Sequence, residues 1–251
     1  MDTALKQAFI ERWAKYFPGE ELPITFFYSN DPASGESVPS PKGHRCVVSL
    51  LTLARRGRDI CLDVEAVGCS GGKRYFGFTS DLMPNFEYFL SCGIPGQLEG
   101  ERYKKSPEMV RALMANAATF TAPAPYIVFK RWDRVAESDE PVAVIFFVRP
   151  DVLSGLFTLA GFDEVNPNAV AAPFGAGCGT IVQYPYLERD AECPRAFIGM
   201  FDVSARPCVS ADILSFATPM KKFVRMIANM DESFLITESW QRVRERIAKS
   251  R

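Results

Sequence analysis

The stretch Val142-Ala-Val-Ile-Phe-Phe-Val148 is apolar at every position. A run this short and this uniform predicts a strand with no solvent face, buried at the centre of a sheet. Such a sheet needs cover, and the chain supplies it. Ala4, Leu5, Ala8, Phe9, Trp13 and Phe17 fall at helical spacing over residues 2–17, before Pro18-Gly19. Further helices are expected at 45–56, with Gly57 as the stop, and at 84–92, 107–118, 151–160, 219–230 and 231–249. Strands are expected at 22–29, 59–67, 74–78, 126–130, 180–184 and 196–202. The stretch 30–43 is crowded with Asn, Asp, Pro, Ser and Gly and reads as a loop. The pattern predicts an α+β fold, a mixed sheet with covering helices, in a single compact domain over residues 1–251.

An imperfect internal repeat runs through this order. Ile24–Tyr28 parallels Val144–Val148, Leu50–Ala54 parallels Leu156–Ala160, and Gly68-Cys69 parallels Gly177-Cys178. Leu90-Ser91 with Pro95 parallels Leu214-Ser215 with Pro219. The expected repeat units are about residues 22–95 and 140–219, packed around a pseudo-two-fold axis so that Cys69 and Cys178 face one cleft. The bland alternative is two unrelated tight turns, each with a cysteine acting as a small buried hydrophobe.

Composition narrows the functional classes. Basic and acidic residues nearly balance, 29 against 30, which argues against a nucleic-acid partner. The cluster Arg242, Arg244, Arg246, Lys249 and Arg251 is interleaved with Glu245 and reads as a solvated helix face. No apolar stretch is long enough to span a membrane, and the N-terminus lacks the pattern of a signal peptide. A cytoplasmic protein is expected, with its seven cysteines mostly reduced. The single histidine, His44, excludes two-histidine mechanisms within one chain.

Two of the cysteines stand out. Cys69 lies in Gly68-Cys-Ser-Gly-Gly72, and Cys178 lies in Gly175-Ala-Gly-Cys-Gly179. Glycine takes positive φ readily and places no side chain beside the sulfur. Open loops are expected, in which a thiol meets a metal, a cluster or a ligand. Lys73 and Arg74 directly follow Gly71 and Gly72, so glycine N–H groups and two cations form a candidate anion nest. The phosphate-loop pattern itself is absent. Asp202 and Arg206 bracket Val-Ser-Ala; they make either a local ion pair that stiffens a turn or an arginine that holds a carboxylate in the cleft. Cys61 reads as core, and Cys193 and Cys208 each adjoin a proline without a motif.

The run Cys46…Leu53-Ala-Arg-Arg-Gly57…Gly68-Cys69-Ser-Gly-Gly72…Tyr75-Phe-Gly-Phe78 resembles the family of domains of unknown function numbered 169. Gly177-Cys178 and the block Phe201-Asp-Val-Ser-Ala-Arg206-Pro207…Trp240 extend the resemblance over about residues 20–245. It implies that Cys46, Cys69 and Cys178 fall where that family places cysteines, and it implies no established activity. Three such thiolates suit a soft metal or an iron–sulfur cluster. Spacing opposes a zinc ribbon or a ferredoxin signature, because no Cys-x-x-Cys pair exists. The open fourth position falls to Cys92, His44 or a substrate.

Three readings follow. The first is binding of a redox metal or an iron–sulfur cluster by Cys46, Cys69 and Cys178, serving a small ligand or a redox partner. The second is a small-molecule or anion-binding module in which Gly71, Gly72, Lys73, Arg74, Gly177, Gly179 and Arg206 hold the ligand. The third is a thiol enzyme with Cys69 or Cys178 as nucleophile.

Overall fold

The computed structural model describes residues 1–249. Arg251 of the C-terminal basic cluster lies outside the described residues. One mixed sheet contains β1 (Ile24–Ser29), β2 (Glu36–Ser37), β3 (Ile60–Leu62), β4 (Tyr126–Arg131), β5 (Ala143–Val148), β6 (Val170–Ala171), β7 (Ala196–Gly199) and β8 (Leu214–Pro219). The helices are α1 (Thr3–Tyr16), α2 (Val47–Arg55), α3 (Ser70–Tyr75), α4 (Phe86–Phe89), α5 (Pro107–Ala115), α6 (Pro150–Ala160), α7 (Tyr184–Glu188), α8 (Met220–Asn229) and α9 (Glu238–Lys249). The fold is α+β. Among the described residues no helix is long and apolar enough to cross a membrane.

All six residues of β5 are buried, as its uniform apolar sequence predicts. Its alternate side chains serve two cores. Ala143, Ile145 and Phe147 pack in the layer formed with α2, Phe76, Ile181 and Val182. Val144, Phe146 and Val148 pack in the layer formed with α1, α6, α8 and α9. Each large apolar side chain buried this way contributes on the order of 1.5–3 kcal/mol relative to exposure. The second layer centres on Phe9, whose ring meets Trp13, Trp132, Phe146 and Phe223 within 6.2 Å. There α9 approaches α6 closely, because a Cβ at Gly155 would stand 2.4 Å from the Trp240 ring.

The strand order is β2-β3-β4-β1-β5-β8-β7-β6. β1 and β5 pair antiparallel at the centre, with Ile24 opposite Ile145. On either side the pattern is the same: an antiparallel partner (β4 or β8), a second antiparallel strand (β3 or β7), and a parallel edge strand (β2 or β6). The topological correspondence differs in register from the sequence repeat. β4 is the counterpart of β8 and lies beyond residue 95. The connection between β2 and β3 holds α2, and its counterpart between β6 and β7 holds residues 179–188, not α6. Cys46 before α2 thus corresponds to Cys178, and Cys69 after β3 corresponds to the turn Arg206–Cys208 after β7.

Several segments differ from the sequence reading; the helix expected over 231–249 begins only at Glu238, after a separate 3-10 turn at Phe234–Ile236. Residues 74–78 continue and end α3 instead of forming a strand; Gly77 closes it with φ +77°. Residues 179–183 form a π-helical turn running into α7, where a strand was expected. Ile181 and Val182 are fully buried there, and a short apolar run does not separate strand from buried helix. β3 stops at Leu62 because the Asp63 carboxylate accepts the N–H groups of Glu65 (3.0 Å) and Ala66 (2.8 Å), turning the chain.

Candidate functional site

The candidate site lies on the α2–α3 side of the sheet. Cys69 is the N-cap of α3, and its sulfur accepts the N–H of Gly72 at 3.2 Å. A Cβ at Gly72 would sit 2.8 Å from Val67 Cγ1 and 3.0 Å from the Cys69 sulfur. At Gly68 it would sit 2.5 Å from the Pro41 ring and 3.1 Å from the Arg45 nitrogen. The chain leading into α2 therefore lies directly on Gly68, which carries Cys46, the N-cap of α2, toward Cys69. The positive-φ rationale does not hold here: Gly68, Gly71, Gly72, Gly175, Gly177 and Gly179 all avoid the left-handed region. Close approach is what requires glycine. Gly71 and Gly175 are the exceptions, since a Cβ would meet only Tyr75 at an ordinary 3.7 Å in the first case and Tyr184 at an ordinary 3.5 Å in the second.

Cys178 begins the π-helical turn and is 7% exposed. Before it, Gly177 donates its N–H to Asp202 at 3.3 Å, and a Cβ there would stand 2.7 Å from Met200 Cε. After it, a Cβ on Gly179 would stand 3.2 Å from the Tyr75 ring, so α3 rests on this turn. Cys208 ends the turn Arg206–Cys208 and packs, with Cys46, against the same apolar core that contains Cys178.

The thiols feel one another. Burial pushes Cys46 up to about 11, and the neighbouring Cys208 thiol adds to the rise, while the N–H groups of Val48 and Ser49 oppose it. Burial also raises Cys69, against the N–H groups of Gly72 and of Val47 at the start of α2; the Cys46 thiol and Asp202 raise it further. Burial holds Cys178 well above an ordinary thiol, with Cys69, Cys46 and Asp202 acting in the same direction. Tyr75 is raised by burial and then by Cys178. Four sulfurs from four chain segments thus share one neighbourhood, three of them at the starts of helical segments. The protons of Cys46, Cys69 and Cys178 are held tightly, the opposite of the depressed pKa that activates a nucleophilic cysteine. A bound cation reverses that balance by displacing the protons. Among the described residues no three Cys, His, Asp or Glu side chains stand close enough to share one metal ion.

The other candidates are placed differently. Among the described residues Arg206 makes no ion pair with Asp202. Its guanidinium donates to the carbonyls of Ile213 (2.5 Å), Ala211 (2.6 Å), Met200 (3.4 Å) and Ser210 (3.4 Å). It thereby holds a segment in which Met200 takes the left-handed conformation, φ 67°. Arg74 is buried and donates to the carbonyl of Ser80. Lys73 is half-buried on α3 and His44 is exposed in the segment before Cys46. Cys92 and Cys193 are exposed, and Cys61 packs with Phe27 and Val128. Cys208 was missed in the sequence because it lies outside the glycine-rich stretches. The available signal was its place directly after Arg206-Pro207, inside a block that carries the family resemblance.

The family model DUF169, described as an uncharacterised ArCR, matches residues 19–229 of the 251. The chain belongs to this family. The DUF169 match spans all eight strands and all four clustered cysteines. No curated protein and no solved structure matches the chain.

Proposed function

We propose that this DUF169 protein binds a redox-active thiolate-ligated metal, as an iron–sulfur cluster, through Cys46, Cys69, Cys178 and Cys208. The observation that carries the reading is the gathering of four thiols from four separate segments beside the starts of α2, α3 and the π-helical turn. Thiolates are the ligands of such clusters, and N–H groups directed at sulfur, as Gly72 is at Cys69, stabilise their negative charge. When bound, the group supplies reversible acceptance and release of an electron. The partner is then a redox protein or small redox molecule in the cytoplasm, where the thiols stay reduced. The anion-binding alternative is weakened because Arg74 and Arg206 already serve main-chain carbonyls.

The test is iron and sulfide analysis with a visible spectrum on protein purified without oxygen, and again after reconstitution with ferrous iron and sulfide. The expected result is stoichiometric iron and sulfide, lost in Cys69→Ser and Cys208→Ser and kept in Cys92→Ser. A reduced, folded protein that takes up no iron overturns the reading.

A further inference from the structure

Residues 101–105, between α4 and α5, form a fixed post beside the cysteine site. Their main chain is rooted in the end of α4 and the residues after it. The N–H groups of Glu101, Arg102 and Lys104 donate to the carbonyls of Phe89 (2.7 Å), Ser91 (3.0 Å) and Leu90 (3.1 Å). Just before the post the chain crosses itself at close contact, since a Cβ on Gly100 would stand 2.2 Å from the Gly93 nitrogen. Two side chains leave this post, and each grips a different arm of the site. The Tyr103 hydroxyl accepts the Ser204 N–H at 3.1 Å. The Lys104 ammonium lies 3.8 Å from the centre of the Phe174 ring. Ser204 precedes Cys208 by four residues, and Phe174 precedes Cys178 by four. The arms also hold each other, because the Asp202 carboxylate accepts from Ser204 and from the Gly177 N–H. Tyr103, Ser204, Asp202, Gly177, Phe174 and Lys104 therefore close a ring of contacts that joins three chain segments.

The two contacts made by the post are the weak members of this ring. One is a neutral hydrogen bond whose N–H is shared with Asp202. The other is a cation–π contact to a ring that is 49% exposed. The root is main-chain and the crossing is steric, so the ring opens at the two side chains while the post stays in place. We infer that Tyr103 and Lys104 form a clasp that holds the arms leading to Cys178 and Cys208 against the post, and that its release lets both arms move together. Cys178 is 7% exposed with the clasp engaged, and movement of its arm opens an entry route to it. The consequence for metal loading, that release speeds iron entry, rests on the cluster reading; the clasp itself does not.

The experiment is amide hydrogen exchange read by mass spectrometry on the full chain, metal-free and reduced. The parent is compared with the double variant Tyr103→Phe/Lys104→Gln and with Lys105→Gln, an exposed neighbour outside the clasp. The double variant should exchange roughly tenfold faster in peptides covering residues 174–178 and in those covering 202–208, the effect of losing two weak contacts. Peptides from β4 and β5 should be unchanged, and Lys105→Gln should match the parent. Unchanged exchange in either arm overturns the clasp. So does acceleration spread over β4 and β5, which reports a loss of global stability, or an equal effect of Lys105→Gln. Reconstitution of parent and double variant with ferrous iron and sulfide then separates the two claims. Faster iron uptake by the double variant supports the loading consequence, and equal rates overturn it. If neither protein takes up iron, the cluster reading fails and the exchange result alone decides the clasp.

Discussion

The carboxylate of Asp202 accepts the backbone N–H of Gly177, one residue before Cys178, at 3.3 Å. The same carboxylate accepts from the Ser204 N–H at 3.1 Å and the Ser204 hydroxyl at 2.8 Å. It thus ties the segment after β7 to the start of the π-helical turn. Asp202→Ala should lower stability by about 1.5–3 kcal/mol, the range for hydrogen bonds to a charged group. Urea denaturation checks this, and an unchanged midpoint would mean that Asp202 does not hold the turn.

Arg206 serves four carbonyls with one planar fork. Arg206→Ala removes this donor from all four, Ser210 alone keeping another in the Ile213 N–H, and should cost about 2–3 kcal/mol. Arg206→Lys should recover little of that, since a single ammonium cannot reproduce the fork. Equal stability of the lysine variant and the parent in thermal unfolding would contradict this role.

Gly199 ends β7 with no room beside it. A Cβ there would fall 1.9 Å from Thr180 Oγ1 and 2.9 Å from Ser215 Oγ. Gly199→Ala should destabilise by about 1–3 kcal/mol through overpacking. Adding Thr180→Ala removes the nearest clash and should restore part of the loss. A double variant less stable than the sum of the singles would refute the steric account.

Alkaline pH should weaken the fold. Burial raises the Cys61 thiol from 9.0 to about 11, with Asp63 and Asp31 acting in the same direction. The folded state holds this proton more tightly than the unfolded chain does. The contribution is therefore complete below about pH 9 and is lost as pH rises toward about 11. Tyr28, raised by burial while its hydroxyl donates to Phe76 O at 2.7 Å, extends the loss to higher pH. Melting temperatures from pH 7 to 11 should fall in the parent and fall less in Cys61→Ala. Parallel curves for the two would remove Cys61 as a cause.

The layers are legible in local pattern. The uniform run at 142–148 read as a strand buried on both faces, and residues 143–148 form one. Pro107 and Gly57 marked a helix start and a helix stop through their own backbone preferences. The same reasoning failed at 180–184, because Thr180, Ile181 and Val182 carry strand propensity without a period, and burial on both sides selected the π-helical turn.

The α+β class, the buried central strand and the family are written in local pattern, because period, turn chemistry and motif are local properties. That pattern also singles out Cys46, Cys69 and Cys178. Long-range packing adds that Cys208 lies beside Cys46, that most of the glycines serve close approach, and that Arg206 clamps its own chain. Those are contacts between segments far apart in sequence, formed when the β2–β3 and β7–β8 connections fold onto one face of the sheet. No spacing along the chain encodes them, since they depend on strand order and on which main-chain atoms are left needing a partner.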